Sequence, residues 1–95
     1  MKHVIVAPAG AIAQWVYRNM KEFRGIPRKD VRFVTRGSEL EEVLGSTATF
    51  YCVISDRPFV LTPGQRREWE TTLGRVAMMC KERPARYEFK EVKVP

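Results

Sequence analysis

The chain begins with a strand, a tight turn and a helix, and this unit constrains the fold more than any other segment. Val4–Ala7 is an apolar run without polar alternation, which is typical of a central parallel strand covered on both faces. The turn Pro8-Ala9-Gly10 then ends the run. From Ile12 to Phe23, apolar residues recur at spacings of four, four and three, which places them on one side of a helix. The segment is therefore half of a β-α-β unit.

Three more strands are predicted from apolar runs rich in β-branched and aromatic residues. They cover Val31–Thr35, Thr49–Ser55 and Arg86–Lys90. The first and third strands are the most apolar, so we expect them at the centre of the sheet. After Lys90, Val92 and Val94 shift the alternation by one residue, which predicts a bulge or a frayed tail over residues 91–95.

Two more helices are predicted from their starting residues. Ser38 forms a Ser-x-x-Glu capping box with Glu41, which predicts a short acidic helix. Thr62 and Gln65 form a second capping box around Pro63, and the helix that follows is predicted to end at about 81–83. Residues 1–95 are thus predicted to be a single α/β domain, β-α-β-α-β-α-β. We expect a small three-layer Rossmann-like or flavodoxin-like architecture, with a four-stranded, mostly parallel sheet in the order 2-1-3-4.

Composition narrows the class of protein. Of the 95 residues, 44% are hydrophobic and 29% are charged, which is ordinary for a globular protein. The sequence has neither a bilayer-length apolar run nor a signal peptide, so we expect a cytoplasmic protein without a membrane partner. Cys52 and Cys80 fall in apolar segments and are expected to be reduced core thiols.

The residue patterns of common catalytic and cofactor sites are absent from the sequence. The only histidine, His3, precedes the first strand instead of following a strand's carboxyl end, so no nucleophile and base can be paired. Two cysteines without spaced histidines do not form a zinc motif. There is no phosphate loop, and Gly10 alone is not a dinucleotide fingerprint. We therefore expect no enzyme, no cofactor and no metal site.

One group of residues indicates a binding edge. In a sheet of this order, ligands bind at the carboxyl ends of the strands where the strand order reverses, here between the first and third strands. The residues expected at this edge and suited to an anion or a nucleic acid are Gly10, Arg36, Ser38, Arg57, Arg66 and Arg67. The net charge of +6 favours a polyanionic partner. The alternative is an ordinary solvated face, in which Glu68 and Glu70 neutralise the arginines and the charge only sets solubility.

Aromatic and methionine residues offer candidates for a protein interface. Trp15 and Trp69 each fit the apolar side of a helix, so we expect core packing instead of stacking on bases. Tyr17 lies off the main apolar stripe and is either a rim residue of the core or an exposed interaction residue. Only one of Met78 and Met79 can join the core face. Tyr17 and Met78 are the candidate protein-interaction residues.

The first strand and helix resemble a helicase segment. Val4-Ile5-Val6-Ala7-Pro8, followed by Gln14-Trp15 and Phe23, is similar to the part of superfamily 2 helicases in which a strand ending in proline precedes a helix bearing Gln-Trp. In that family the turn lies against the nucleic-acid backbone. Asp56 is followed by Arg57 instead of the glutamate of the helicase magnesium motif, so the resemblance does not imply an ATPase.

The layout of the whole chain resembles small uncharacterised proteins of bacteriophages that infect actinobacteria. The shared features are a short strand ending in Ala7-Pro8, a Trp-bearing helix, and Val31–Thr35 followed by a short acidic helix. This resemblance implies a Rossmann-like fold and expression in the cytoplasm of a bacterial host, and it supplies no catalytic residues.

These observations favour a non-catalytic, phage-type accessory protein that binds a host protein, a phage protein or a second copy of itself. The alternative is a nucleic-acid-binding protein that uses the basic edge of the sheet. An exposed apolar patch would favour the first function, and a continuous basic stripe would favour the second.

Overall fold

Four parallel strands form the centre of the molecule in the computed structural model, which describes residues 2–95. The strands are β1 (Lys2–Val6), β2 (Val31–Val34), β3 (Ala48–Ser55) and β4 (Tyr87–Val94). Their order across the sheet is β2-β1-β3-β4, and each neighbouring pair is parallel. The predicted α/β class and strand order are therefore confirmed. The two most apolar strands occupy the centre because only central strands are covered on both faces.

Two α-helices cover the faces of the sheet: α1 (Gly10–Asn19) and α2 (Pro63–Glu82). The predicted start of α2 is confirmed, since the Gln65 backbone N–H donates to Thr62 Oγ1 over 3.1 Å and the Thr62 N–H donates to Gln65 Oε1 over 2.9 Å. Helix α1 ends earlier than its apolar spacing indicates, and Phe23 belongs to a separate 3-10 turn, Lys21–Phe23. Neither helix, nor any other between residues 2 and 95, has the length and apolarity needed to cross a bilayer.

The predicted short acidic helix is a 3-10 segment, Gly37–Glu42. Its start is fixed by Glu39 and not by Ser38, which is exposed, so the predicted Ser38–Glu41 capping box is wrong. Glu39 Oε1 accepts hydrogen bonds from the backbone N–H groups of Thr35 and Arg36, each over 3.0 Å. One carboxylate oxygen thus satisfies two backbone N–H groups at the start of the segment.

Each face of the sheet carries its own core. On one side, α2 and the 3-10 segment pack onto the sheet through Trp69, Val76 and Leu40. On the other side, α1 contributes Val16, and Phe23 from the following turn packs beside it. Val4–Val6 of β1 and Ala48–Val53 of β3 are buried on both faces as a result, which explains why these segments lack polar alternation.

Strand β4 corrects the expectation of a bulge. It pairs with β3 in one unbroken register from Ala48↔Tyr87 to Ser55↔Val94, so residues 91–94 are part of the strand. Tyr87 packs into the core on the α2 side, whereas Val92 and Val94 pack into the core on the α1 side. The apolar residues therefore change from odd-numbered to even-numbered positions because the two ends of one regular strand are buried on opposite faces.

Candidate functional site at the carboxyl edge of the sheet

The carboxyl ends of β1 and β3 lie side by side at the centre of the sheet. From β1 the chain crosses to β2 on one side, and from β3 it crosses to β4 on the other side. The two connections diverge at this point, which is where open α/β sheets form a binding crevice. Gly10 is exposed here as the first residue of α1. A groove opens at this edge of the sheet, and of the residues predicted for a binding edge its lining includes Arg57.

The groove has a volume of about 460 Å³ and is mostly apolar. Helix α1 supplies Ile12 and Trp15, and the end of β4 supplies Val94, followed by Pro95. The remaining wall is the connection after β3, residues 57–60, with Ser55 at its base. Such a cleft accepts an apolar group and keeps a few polar atoms at its margin.

Trp15 is the side chain that departs most from its predicted environment. We expected it to pack in the core, but it is 42% exposed and lines the groove. Ala13 and Val16 are fully buried beneath α1, and Trp15 lies on the flank of that buried stripe because successive helical residues are rotated by about 100°. Trp69, by contrast, is buried as predicted. The first tryptophan is therefore available to a partner.

The wall formed by the β3–α2 connection is held by specific contacts. The ring of Phe59 meets Trp69 edge-on at a centroid distance of 6.4 Å. The Phe59 carbonyl accepts a hydrogen bond from Arg66 Nη2 over 3.1 Å, and the Arg57 N–H donates to Ser55 Oγ over 3.2 Å. Val60 follows Phe59 and is fully exposed. The β3–α2 connection is thus held in place, and its exposed Val60 lies at the groove.

The four predicted arginines are exposed. They follow the carboxyl ends of two different strands, β2 and β3. Arg57 lines the groove, and Arg66 is tied to the groove wall through Phe59. Arg36 follows β2, at the other side of the edge, and its exposed neighbour in the 3-10 segment is Ser38. Arg67 is exposed on the first turns of α2.

Two carboxylates adjacent in sequence to these arginines, those of Glu68 and Asp56, have other partners. Glu68 Oε1 accepts from the Gly37 N–H over 3.1 Å, and Asp56 Oδ1 lies 2.8 Å from Lys93 Nζ. Within residues 2–95, none of the four arginines forms an ion pair. Their charge is therefore available to an acidic ligand.

The two predicted protein-interaction residues lie outside the groove. Tyr17 is half-buried at the rim of the core on the α1 side, and its hydroxyl donates to the Ile26 carbonyl over 2.8 Å. Met78 is 54% exposed on α2, whereas Met79 packs against the core, as expected for two consecutive helical residues. Neither residue joins the edge arginines.

Reactive side chains are also remote from the groove. His3 Nδ1 lies 3.1 Å from the Tyr51 hydroxyl, at the amino end of β1. Burial, followed by the neighbouring Cys80, raises the pKa of the Cys52 thiol to about 12, and burial also raises the pKa of Cys80. Thiols with raised pKa values are protonated and weakly nucleophilic near neutrality. In the described part of the chain, no three His, Cys, Asp or Glu side chains form a group that could hold a metal ion.

Comparison of the chain with protein-family models, with curated proteins and with solved structures gives no match. The groove and its arginines are therefore the features from which a function can be inferred. Sequence reasoning missed Phe59 and Val60 as site residues. Their signal was present as the apolar run Phe59–Leu61, which belongs to no predicted helix or strand and so has no element to cover it.

Proposed function

We propose that this chain is a non-catalytic accessory protein of the bacteriophage type, which binds a host or phage protein through the groove at the carboxyl edge. The observation that carries the proposal is the pair of exposed apolar side chains at this groove, Trp15 on α1 and Val60 on the β3–α2 connection. Tryptophan and arginine are enriched among the residues that dominate binding energy at protein interfaces. The contacts of Phe59 hold one wall in place, so less conformational entropy is lost on binding.

The charges around the groove define the chemistry of the partner. Arg57 lines the groove and Arg66 adjoins it, and neither is paired with a carboxylate. The matching ligand is a protein segment with one large apolar side chain flanked by acidic residues. The apolar side chain would occupy the groove, and the acidic residues would meet the arginines, which steer the encounter and fix the orientation.

The cellular setting follows from the resemblance to phage proteins and from the cysteines. Both thiols are free, with Cys52 buried and Cys80 half-buried, and free thiols are usual in a reducing compartment. The proposal therefore places the protein in the cytoplasm of an infected bacterium.

Capture from actinobacterial lysate with groove variants tests this function. Val60→Asp places a carboxylate beside the groove, and Trp15→Ala removes its largest apolar side chain. Leu44→Ala is the matched control, because Leu44 is 50% exposed but lies outside the groove. We expect a stoichiometric partner that the wild type and Leu44→Ala retain and both groove variants lose. Partners retained equally by all four proteins, or no partner at any salt concentration, would contradict the proposal.

A second candidate function is nucleic-acid binding, favoured by the four edge arginines, for which the described part of the chain provides no ion pair. The resemblance of Val4–Phe23 to a helicase segment whose turn lies against a nucleic-acid backbone supports the same reading. Binding would be carried by phosphate contacts and would show little sequence preference. The protein interaction ranks first because the groove beside these arginines is mostly apolar.

A further inference from the structure

The two outer strands of the sheet are exposed to different degrees. At β2, the Arg28 guanidinium donates to the Val31 carbonyl, and its central carbon lies 3.9 Å from the centroid of the Phe33 ring. This side chain therefore folds over a strand of only four residues. Strand β4 has eight residues, and within residues 2–95 no strand pairs with its outer side. Its outward N–H and C=O groups can accept a further strand.

The side chains of β4 alternate between the two faces of the sheet. Tyr87 packs on the α2 side, so Phe89 points to that side as well. Phe89 is 42% exposed, although its neighbour on β3, Phe50, is fully buried. On the opposite face, Glu88 and Lys90 are exposed, and Glu88 Oε1 lies 3.6 Å from Lys90 Nζ. An apolar side chain is thus flanked in sequence by one negative and one positive charge.

This pattern is self-complementary in an antiparallel pair. When two copies are related by a twofold axis perpendicular to the sheet, each face of one sheet continues into the same face of the other. Odd-numbered residues of β4 then lie opposite odd-numbered residues of the second copy, and even-numbered residues lie opposite even-numbered ones. With Phe89 on the axis, Phe89 opposes the partner's Phe89. Glu88 then opposes the partner's Lys90, and Lys90 opposes the partner's Glu88. One apolar and two oppositely charged cross-strand pairs result, and each type is favourable.

Neighbouring registers are less favourable. An axis at Glu88, Lys90 or Glu91 places like charges directly opposite each other. An axis at Val92 pairs opposite charges, but Val92 is already buried and Lys93 is engaged with Asp56. That register would also leave the Phe89 side chain opposite Pro95.

We propose that a second copy of this chain pairs antiparallel with β4, with Phe89 at the twofold axis, so that two four-stranded sheets become one sheet of eight strands. The interface centres on Tyr87–Glu91, whereas Val94 and Pro95 line the groove. Self-association is therefore separate from the binding of another protein in that groove.

Sedimentation velocity over a micromolar to millimolar concentration series tests the pairing. The wild type is expected to approach twice the chain mass of 11.0 kDa. Glu88→Lys and Lys90→Glu each place two like-charged pairs at the interface, so each should weaken the dimer by roughly tenfold or more. A mixture of the two variants restores both opposite-charge pairs and should form heterodimers. Glu70→Lys, at an exposed position on α2, is the charge-matched control and should dimerise like the wild type.

Thiol cross-linking tests the register. Phe89→Cys brings two introduced thiols opposite each other at the axis and should form a disulfide-linked dimer under mild oxidation. Val92→Cys should not, and the wild type controls for Cys52 and Cys80. A monomer at all concentrations, a dimer that withstands both charge variants, or preferential cross-linking through position 92 would each overturn the proposal.

Discussion

At the scale of single residues, the buried thiol of Cys52 is expected to make the free energy of unfolding depend on pH. It is 1% exposed, and burial is the main cause of its raised pKa. The ordinary pKa of a thiol, 9.0, applies in the unfolded chain, whereas the folded value is about 12. The unfolded state therefore loses this proton first as the pH rises. The stability that this thiol contributes is therefore fully present below pH 9.0 and is expected to decrease between that pH and about 12.

Replacing Cys52 by valine, an apolar side chain of similar size, is expected to make the free energy of unfolding fall less steeply with pH in this range. The wild type should lose up to about 1.4 kcal/mol per pH unit in the affected range through this group. Urea denaturation at a series of alkaline pH values measures the difference. Tyr51, whose pKa is also raised by burial, is present in both proteins and cancels from the comparison. Equal slopes for the two proteins would show that the Cys52 thiol does not control alkaline stability.

At the scale of elements, α2 holds the 3-10 segment through both polar groups of Gly37. The Gly37 N–H donates to Glu68 Oε1, and its carbonyl accepts from Arg75 Nη1 over 2.8 Å. Arg75 Nη2 also lies 3.4 Å from Glu41 Oε1. Gly37 is buried, and a Cβ built there would approach Arg75 Nη1 to 3.1 Å, so a side chain at this position would require the guanidinium to shift slightly.

Glu68→Ala is expected to lower the free energy of unfolding by about 1–2 kcal/mol, because the buried Gly37 N–H would lose its acceptor. Glu70→Ala is the matched control, since it removes the same side chain from an exposed position two residues away and should change stability by less than about 0.5 kcal/mol. Urea denaturation followed by circular dichroism compares the two. Similar losses in both variants would attribute the effect to helix α2 itself and not to its contact with Gly37.

The starts of α2 and of the 3-10 segment show which structural features can be predicted from local sequence. Thr62 and Gln65 cap α2 through contacts three residues apart, so local sequence suffices to predict them. The start of the 3-10 segment depends on a choice between Ser38 and Glu39 that local spacing leaves open. The exposure of Trp15 depends on which element covers it, and no local pattern encodes that, whereas Val60 lies in an apolar run outside every predicted element. Of the six residues that the sequence assigns to a binding edge, Arg57 alone lines the groove, and the apolar lining was not predicted.

At the scale of the whole molecule, the net charge of +6 is combined with four edge arginines that form no ion pairs among residues 2–95. If nucleic acid binds there and about four arginines neutralise phosphates, the logarithm of affinity should fall against the logarithm of salt concentration with a slope near about −3.6 on duplex DNA. Fluorescence anisotropy with labelled duplexes measures this slope. Arg57→Ala or Arg67→Ala should each make the slope shallower by about one unit.

Arg83→Ala is the control for that measurement, because it removes the same charge next to the carboxyl end of α2, at the opposite edge of the sheet. It should leave the slope unchanged. Equal effects of all three variants would indicate nonspecific attraction, and an absence of binding at low salt would remove nucleic acid as a ligand of this edge.

The direction of β4 determines how the two grooves would be oriented in a dimer. All four strands run the same way, so each copy carries its groove at one end of its sheet only. Antiparallel joining of two β4 strands would point these ends in opposite directions. Such a pair could not place both grooves on one flat surface and would gain no avidity there. It would instead bridge two separate partners, as a symmetric linker.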